Sequence, residues 1–190
     1  VGFTRAELES YRGAEVPDLI GPGVRLLFVG INPGLWTAAT RTHFAHPGNR
    51  FYPALLAAGL LEHPIDPAAG MTDPQRAEVL ARGIGITNLA PRATARADEL
   101  TRDELRAGRV RLEEFVARWR PAVVAVAGIT AYRTAFGRPK ARTGEQPEDL
   151  AGARLWVVPN PSGLNAHDTV RSLAEAYRAA GAAAGLTTIG

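Results

Sequence analysis

The stretch Leu26-Leu27-Phe28-Val29-Gly30-Ile31-Asn32-Pro33-Gly34 constrains this chain more than any other. An unbroken apolar run is what a strand buried on both faces requires, and such strands belong to parallel sheets covered by helices. The run ends in a polar turn. Pro33 pushes Asn32 into extended backbone and fixes its own φ. Gly34 permits a backbone angle that other residues resist. The stretch therefore reads as a buried strand over residues 24–30 that delivers an amide aimed from both sides.

The remaining chain alternates in the same manner. Gly83 to Leu89 reads as a weak strand, Ala122 to Ala127 as a β-branched-rich strand covered on both faces, and Arg154 to Val158 as the last strand. Between them lie helical patterns. Thr4 with Glu7 and Thr101 with Glu104 have capping-box spacing, the second opening a long helix that Trp119 ends before Pro121. Asn49 is placed to cap a helix bearing Phe51, Leu55 and Leu56. Shorter helices are expected at Gln75–Arg82 and Thr130–Phe136, and Asp168 or Thr169 should cap the final one, with Leu173, Ala176 and Tyr177 inward. Residues 35–48 read as a long loop, and residues 137–149 as a polar, mobile surface loop. Residues 1–23 are expected to be an N-terminal extension packed on a single domain at 24–190.

Strands alternating with helices imply a three-layer α/β/α sandwich around a central, mainly parallel sheet. Ligand sites in such sheets lie beyond the carboxyl ends of the strands. The Asn32-Pro33 turn, a second turn at Asn160-Pro161 and the loop holding Thr87 and Asn88 all fall on that edge. Their convergence marks a site.

The chemistry available there is limited. With no cysteine, disulfides, thiol nucleophiles and cysteine-ligated metals are excluded. No phosphate-cradling glycine loop is present, and the four histidines lack metal-ligand spacing and read as surface or loop residues. Ser162 lies in Pro-Ser-Gly, without a nucleophile elbow. Of 22 basic residues only Lys140 is a lysine; arginine suits phosphate recognition, although a coding bias toward arginine gives the same composition. The net charge of +3 permits a nucleic-acid partner. Neither a membrane-spanning run nor a signal pattern is seen, so a cytoplasmic location is expected. An asparagine amide cannot abstract a proton near neutrality. It can orient a water, which is sufficient where the nucleophile contributes little to the transition state, as in glycosidic cleavage through an oxocarbenium-like species.

Four ordered motifs make the sequence recognisable: Gly30-Ile31-Asn32-Pro33-Gly34-Leu35, Phe44-Ala45-His46-Pro47-Gly48-Asn49-Arg50-Phe51, Gly85-Ile86-Thr87-Asn88-Leu89 and Asn160-Pro161-Ser162-Gly163-Leu164. Over roughly Pro22 to Tyr177 the chain resembles the mismatch-specific uracil/thymine DNA glycosylases of the uracil-DNA glycosylase superfamily. The resemblance implies that Asn32 positions the hydrolytic water and that Phe44 stacks on a flipped base. It further implies that backbone groups near Ile31 and Phe44 read the pyrimidine edge, with Gly34, Thr37, Asn88 and Thr94 around the base. Leu164, on a loop with Asn160, Ser162, Gly163 and Asn165, would fill the gap left by the extruded nucleotide. For the residues alone, Phe44 as a core residue and Asn88 or Thr94 as turn residues stay open.

The implied function is a monofunctional DNA glycosylase of a uracil-DNA glycosylase-like fold, hydrolysing uracil from DNA, chiefly from G·U mismatches, and initiating base excision repair. Thymine and modified pyrimidines are open as further substrates. The expected partner is double-stranded DNA, with single-stranded DNA also open, and the expected state is a nucleoid-associated monomer without metal or cofactor. Two alternatives remain: a non-catalytic damaged-DNA binder of the same fold, and a small-molecule α/β hydrolase using Ser162. Ala166 stands where the family can carry a DNA-contacting arginine, and Trp36 and Thr37 replace smaller residues of the pocket loop.

Overall fold

The apolar run at Leu26 forms β1 (Leu26–Gly30), an interior strand with all five residues buried. The computed structural model describes residues 2–190; Val1, the start of the expected extension, lies outside them. The other strands are β2 (Ile84–Asn88), β3 (Val123–Ala127), β4 (Gly144–Leu150) and β5 (Ala153–Val158), in the order β2-β1-β3-β5-β4. Four are parallel, and β4 is antiparallel to β5. The expected fold class is the one observed.

Seven α-helices accompany the sheet among the described residues: α1 (Arg5–Glu9), α2 (Leu35–Thr40), α3 (Phe51–Ala57), α4 (Asp73–Ala81), α5 (Arg102–Trp119), α6 (Ile129–Phe136) and α7 (Val170–Ala183). Alternate residues of β1 enter two cores, as the two-residue period of a strand dictates. Leu26 and Phe28 join Leu55, Val79, Leu173 and Tyr177 on one side, while Leu27 and Val29 join Leu112, Val116 and Tyr132 on the other. Phe28 meets Phe51 and Tyr177 edge-on at 5.1 and 5.0 Å, each such pair contributing about 1 kcal/mol beyond burial. The capping boxes at Thr4 and Thr101 form, Thr72 with Gln75 adds a third, and Thr169 caps α7. No helix among the described residues is long and apolar enough to cross a membrane.

Three segments differ from the sequence reading. Residues 144–150, expected within a mobile loop, form β4. This strand is polar and holds Pro147, which gives it little strand signal. A proline is tolerated because β4 is an edge strand, and Pro147 falls where the ladder shifts register between Glu145 and Asp149. The segment after Gly34, expected as loop, begins with the six-residue α2. Asn49 does not occupy the N-cap of α3, which is Arg50, although its Oδ1 accepts from the Phe51 amide at 2.9 Å.

The stretch before β1 touches the sheet edge. Leu19 bridges Ile86 of β2, the Gly13 amide donates to Ala93 O at 2.9 Å, and the Phe3 ring meets Trp36 edge-on at 5.0 Å. The chain crosses from β2 over β1 to β3, so the order reverses around β1. The crevice that this opens lies at the carboxyl ends of β1 and β3.

One close approach holds α5 to that crevice. A Cβ on Gly108 would stand 2.4 Å from the Leu89 carbonyl oxygen, just beyond β2. Gly108→Ala should push α5 from the β2 loop and lower stability by about 1–3 kcal/mol, read as a shifted urea midpoint. An unchanged midpoint would show that the contact relaxes freely.

Candidate active site

A cavity of about 820 Å³ opens at the carboxyl ends of β1, β2, β3 and β5. It is lined by all the residues that the resemblance put at the water, the base or the inserted loop: Ile31, Asn32, Gly34, Thr37, Phe44, Asn88, Thr94, Asn160, Ser162, Gly163, Leu164 and Asn165. Both Asn-Pro turns and the β2 loop therefore meet in one place.

Asn32 is held in one orientation. Its Nδ2 donates to the Arg92 carbonyl at 2.9 Å and to Thr94 Oγ1 at 2.8 Å. A carbonyl can only accept, so the amide nitrogen must face Arg92 and Oδ1 must face away. The Thr94 hydroxyl is buried and donates onward to Arg96 O at 2.7 Å, which leaves its lone pairs for Asn32. The Arg92 backbone is anchored in turn, because its guanidinium pairs with Glu104 in the first turn of α5. That ion pair, with the Thr101 amide, holds the Glu104 carboxyl down to about 2. Among the described residues Asn32 Oδ1 accepts no hydrogen bond, and it is left to the cavity.

Asn88 is fixed by a similar chain. His43, which the sequence placed among surface or loop histidines, is only 5% exposed. Its Nε2 lies 2.9 Å from the Pro17 carbonyl, so Nε2 carries the proton and Nδ1 accepts from Asn88 Nδ2 at 3.3 Å. Asn88 Oδ1 then lies over Gly30, where a Cβ would stand 2.5 Å from it and 3.4 Å from the Phe44 ring. Burial pushes the His43 pKa below its ordinary value, partly opposed by the Pro17 hydrogen bond and Asp18.

Phe44 is half-buried, one face against the core and the ring at the cavity wall. It stacks on Phe51 with centroids 4.1 Å apart and planes 25° apart. Its φ of +56° is unusual for a bulky residue. Thr37 is buried, and its Oγ1 accepts from the Ala45 amide at 3.5 Å. The Ile31 carbonyl is taken by the Ala90 amide at 2.9 Å. Trp36, half-buried, lines the cavity between Phe3 and the exposed His46. The freedom that Gly34 permits is not used: φ −76° and ψ 167° are open to any residue. Pro33 and the bridge from Gly34 to Thr94 shape the turn instead.

Across the mouth, Leu164 is 89% exposed at the tip of its loop. The loop is braced from within: Ser162 N donates to Asn160 Oδ1, Leu164 N to Ser162 Oγ, and Asn165 Nδ2 to both Asn160 O and Asp168 Oδ2. No histidine is within hydrogen-bond distance of Ser162 Oγ among the described residues, so the geometry of an activated serine is lacking. The cavity's carboxylate is Asp98, exposed at the rim and paired with Arg96 at 3.0 Å. Among the described residues no group of three or more His, Cys, Asp or Glu could hold a metal ion.

Sequence reasoning missed His43 and the Arg92 and Pro17 carbonyls. A backbone acceptor leaves no residue-type signal, and these three act only across long sequence separations.

A family model described as the uracil DNA glycosylase superfamily matches residues 17–180. Among solved structures, the chain is similar to the NMR structure of a Methanosarcina acetivorans protein whose assignment as a uracil DNA glycosylase is provisional. The two are 14% identical with a TM-score of 0.56, over 88% of this chain and 96% of that one. At that identity the likeness speaks for the fold.

The buried His43 sets a pH dependence. The unfolded chain takes up a proton near the ordinary histidine pKa of about 6.5, whereas the folded chain resists it. Below that pH the unfolded state binds more protons, so stability falls as pH drops toward the lowered folded-state pKa. His43→Gln should lose less stability than wild type between about pH 7.5 and about pH 5.5 in urea unfolding. Equal losses would show that His43 titrates normally.

Proposed function

The chain belongs to the uracil DNA glycosylase superfamily, and from that premise we propose that it is a monofunctional DNA glycosylase releasing uracil, chiefly from G·U mismatches. Thymine and modified pyrimidines opposite guanine are further candidates. The observation that carries the reading is the Asn32 amide, whose nitrogen is committed to Arg92 O and Thr94 Oγ1 while Oδ1 faces the cavity. An acceptor held this way can take a hydrogen bond from water and point its lone pair at a carbon.

The reaction suits that arrangement. A flipped nucleotide places its base against Phe44, and the edge beyond the ring meets Asn88 Oδ1, an acceptor for an imide N–H such as that of uracil. The C1′–N bond breaks with its electron pair leaving on the base, and an oxocarbenium-like sugar remains. The water held by Asn32 adds to C1′ and releases its proton to solvent. No base is required to form a hydroxide, because the electrophile is already cationic. Schiff-base chemistry is not favoured, since Lys140, the one lysine, does not line the cavity. Leu164 is suited to fill the stack vacated by the nucleotide. We further propose that it acts on the nucleoid, in the cytoplasm and as a monomer.

An end-labelled duplex panel carrying U or T opposite G or A, cleaved with alkali after incubation, tests the reading. Uracil opposite guanine should yield abasic sites. No release from any duplex would leave a DNA-binding module. Asn32→Ala should lower release by about 100-fold or more while duplex affinity stays within a few-fold. Thr94→Val, which removes the hydroxyl but keeps the shape, should cost about tenfold. Wild-type release by Asn32→Ala would remove the water-positioning role.

A further inference from the structure

We infer that Arg50 is a positioning residue for nucleotide extrusion, locking the Leu164 loop to the platform beneath Phe44. The inference rests on the glycosylase reading above and concerns a residue given no part in it.

Arg50 immediately precedes α3. Its backbone amide donates to Pro161 O at 3.0 Å. Its Nη2 donates to Ser162 O at 2.6 Å and Asn165 O at 2.7 Å, and Nη1 donates to Asp168 O. Four carbonyls on both sides of Leu164 thus accept from a single residue. The backbones also approach closely, since a Cβ on Gly163 would stand 3.1 Å from Gly48 O.

This is not how an arginine serves stability alone. Among the described residues Arg50 forms no ion pair, and its Nε is buried without a hydrogen-bond partner. A buried donor left unsatisfied is unfavourable. The planar fork does something a point charge cannot, which is to hold several carbonyls at fixed relative positions.

The adjacent residue explains why that matters. Phe51 carries the ring on which Phe44 stacks. The loop that would enter the duplex and the platform that would receive the base are therefore referenced to two consecutive residues. Extrusion needs both occupied together, with a separation matching one flipped nucleotide. A base already free of a duplex needs only the platform.

The test compares single-turnover uracil release from duplex and single-stranded oligonucleotides by Arg50→Lys, Arg50→Gln, Leu164→Ala and the Arg50→Lys/Leu164→Ala double variant. The duplex to single-strand ratio is taken within one preparation, so it does not depend on how much of a variant folds. Arg50→Lys and Arg50→Gln should lower the ratio about tenfold or more. In the Leu164→Ala background, Arg50→Lys should change it by less than about twofold, because both act through one loop. An unchanged ratio in the single Arg50 variants, or a full additional loss in the double variant, would overturn the proposal. If Leu164→Ala itself leaves the ratio unchanged, the loop does not act in extrusion, and that reading fails before Arg50 is judged.

Discussion

A backbone carbonyl accepts hydrogen bonds and never donates them, and two such carbonyls set the polarity of this site. Arg92 O faces the Asn32 amide nitrogen, and Pro17 O fixes the His43 tautomer that faces the Asn88 amide nitrogen. An amide can rotate to exchange its oxygen and nitrogen at little steric cost, which would turn an acceptor into a donor. Here each exchange would set two acceptors against one another. The oxygens are therefore presented to the cavity by elimination, with no charged group needed to hold them. Rigidity upstream makes this possible: the Arg92 and Glu104 pair ties one carbonyl to α5, and the Leu19 bridge to Ile86 holds the segment bearing the other.

The legible and illegible parts of the sequence divide along physical lines. β1 and β3 could be read because burial on both faces demands apolar residues whatever surrounds them. The Asn32-Pro33 and Asn160-Pro161 turns could be read because proline restricts its predecessor locally. β4 could not. An edge strand with charges at Glu145 and Asp149 and a proline at its irregularity carries the features that suppress pairing, and those imitate a loop. His43 lies in a loop as read, but its burial was not legible, because it depends on Pro17, 26 residues away in the chain. Gly34 leaves its conformational freedom unused, because the bridge to Thr94 draws the backbone into extended geometry.

Under the proposed mechanism the site works without a titrating base, and charge is distributed in keeping with that. The histidine beneath the cavity is held neutral by burial, and the carboxylate at the rim is exposed and paired. A negative charge near Asn32 would oppose departure of an anionic base, while a buried positive charge would bind it tightly. Fixed dipoles avoid both and need no reorganisation as the bond breaks.

Phe44 holds a left-handed backbone angle with a bulky side chain, a conformation that glycine or asparagine adopts with far less strain. Replacing it by either would relax the backbone there and remove the ring from Phe51. The site thus sits at a local conflict between durability and competence. If Phe44 receives the base as proposed, a lineage selected only to resist heat would drift away from this phenylalanine, and one that must keep excising bases would carry the strain and recover stability elsewhere in its cores.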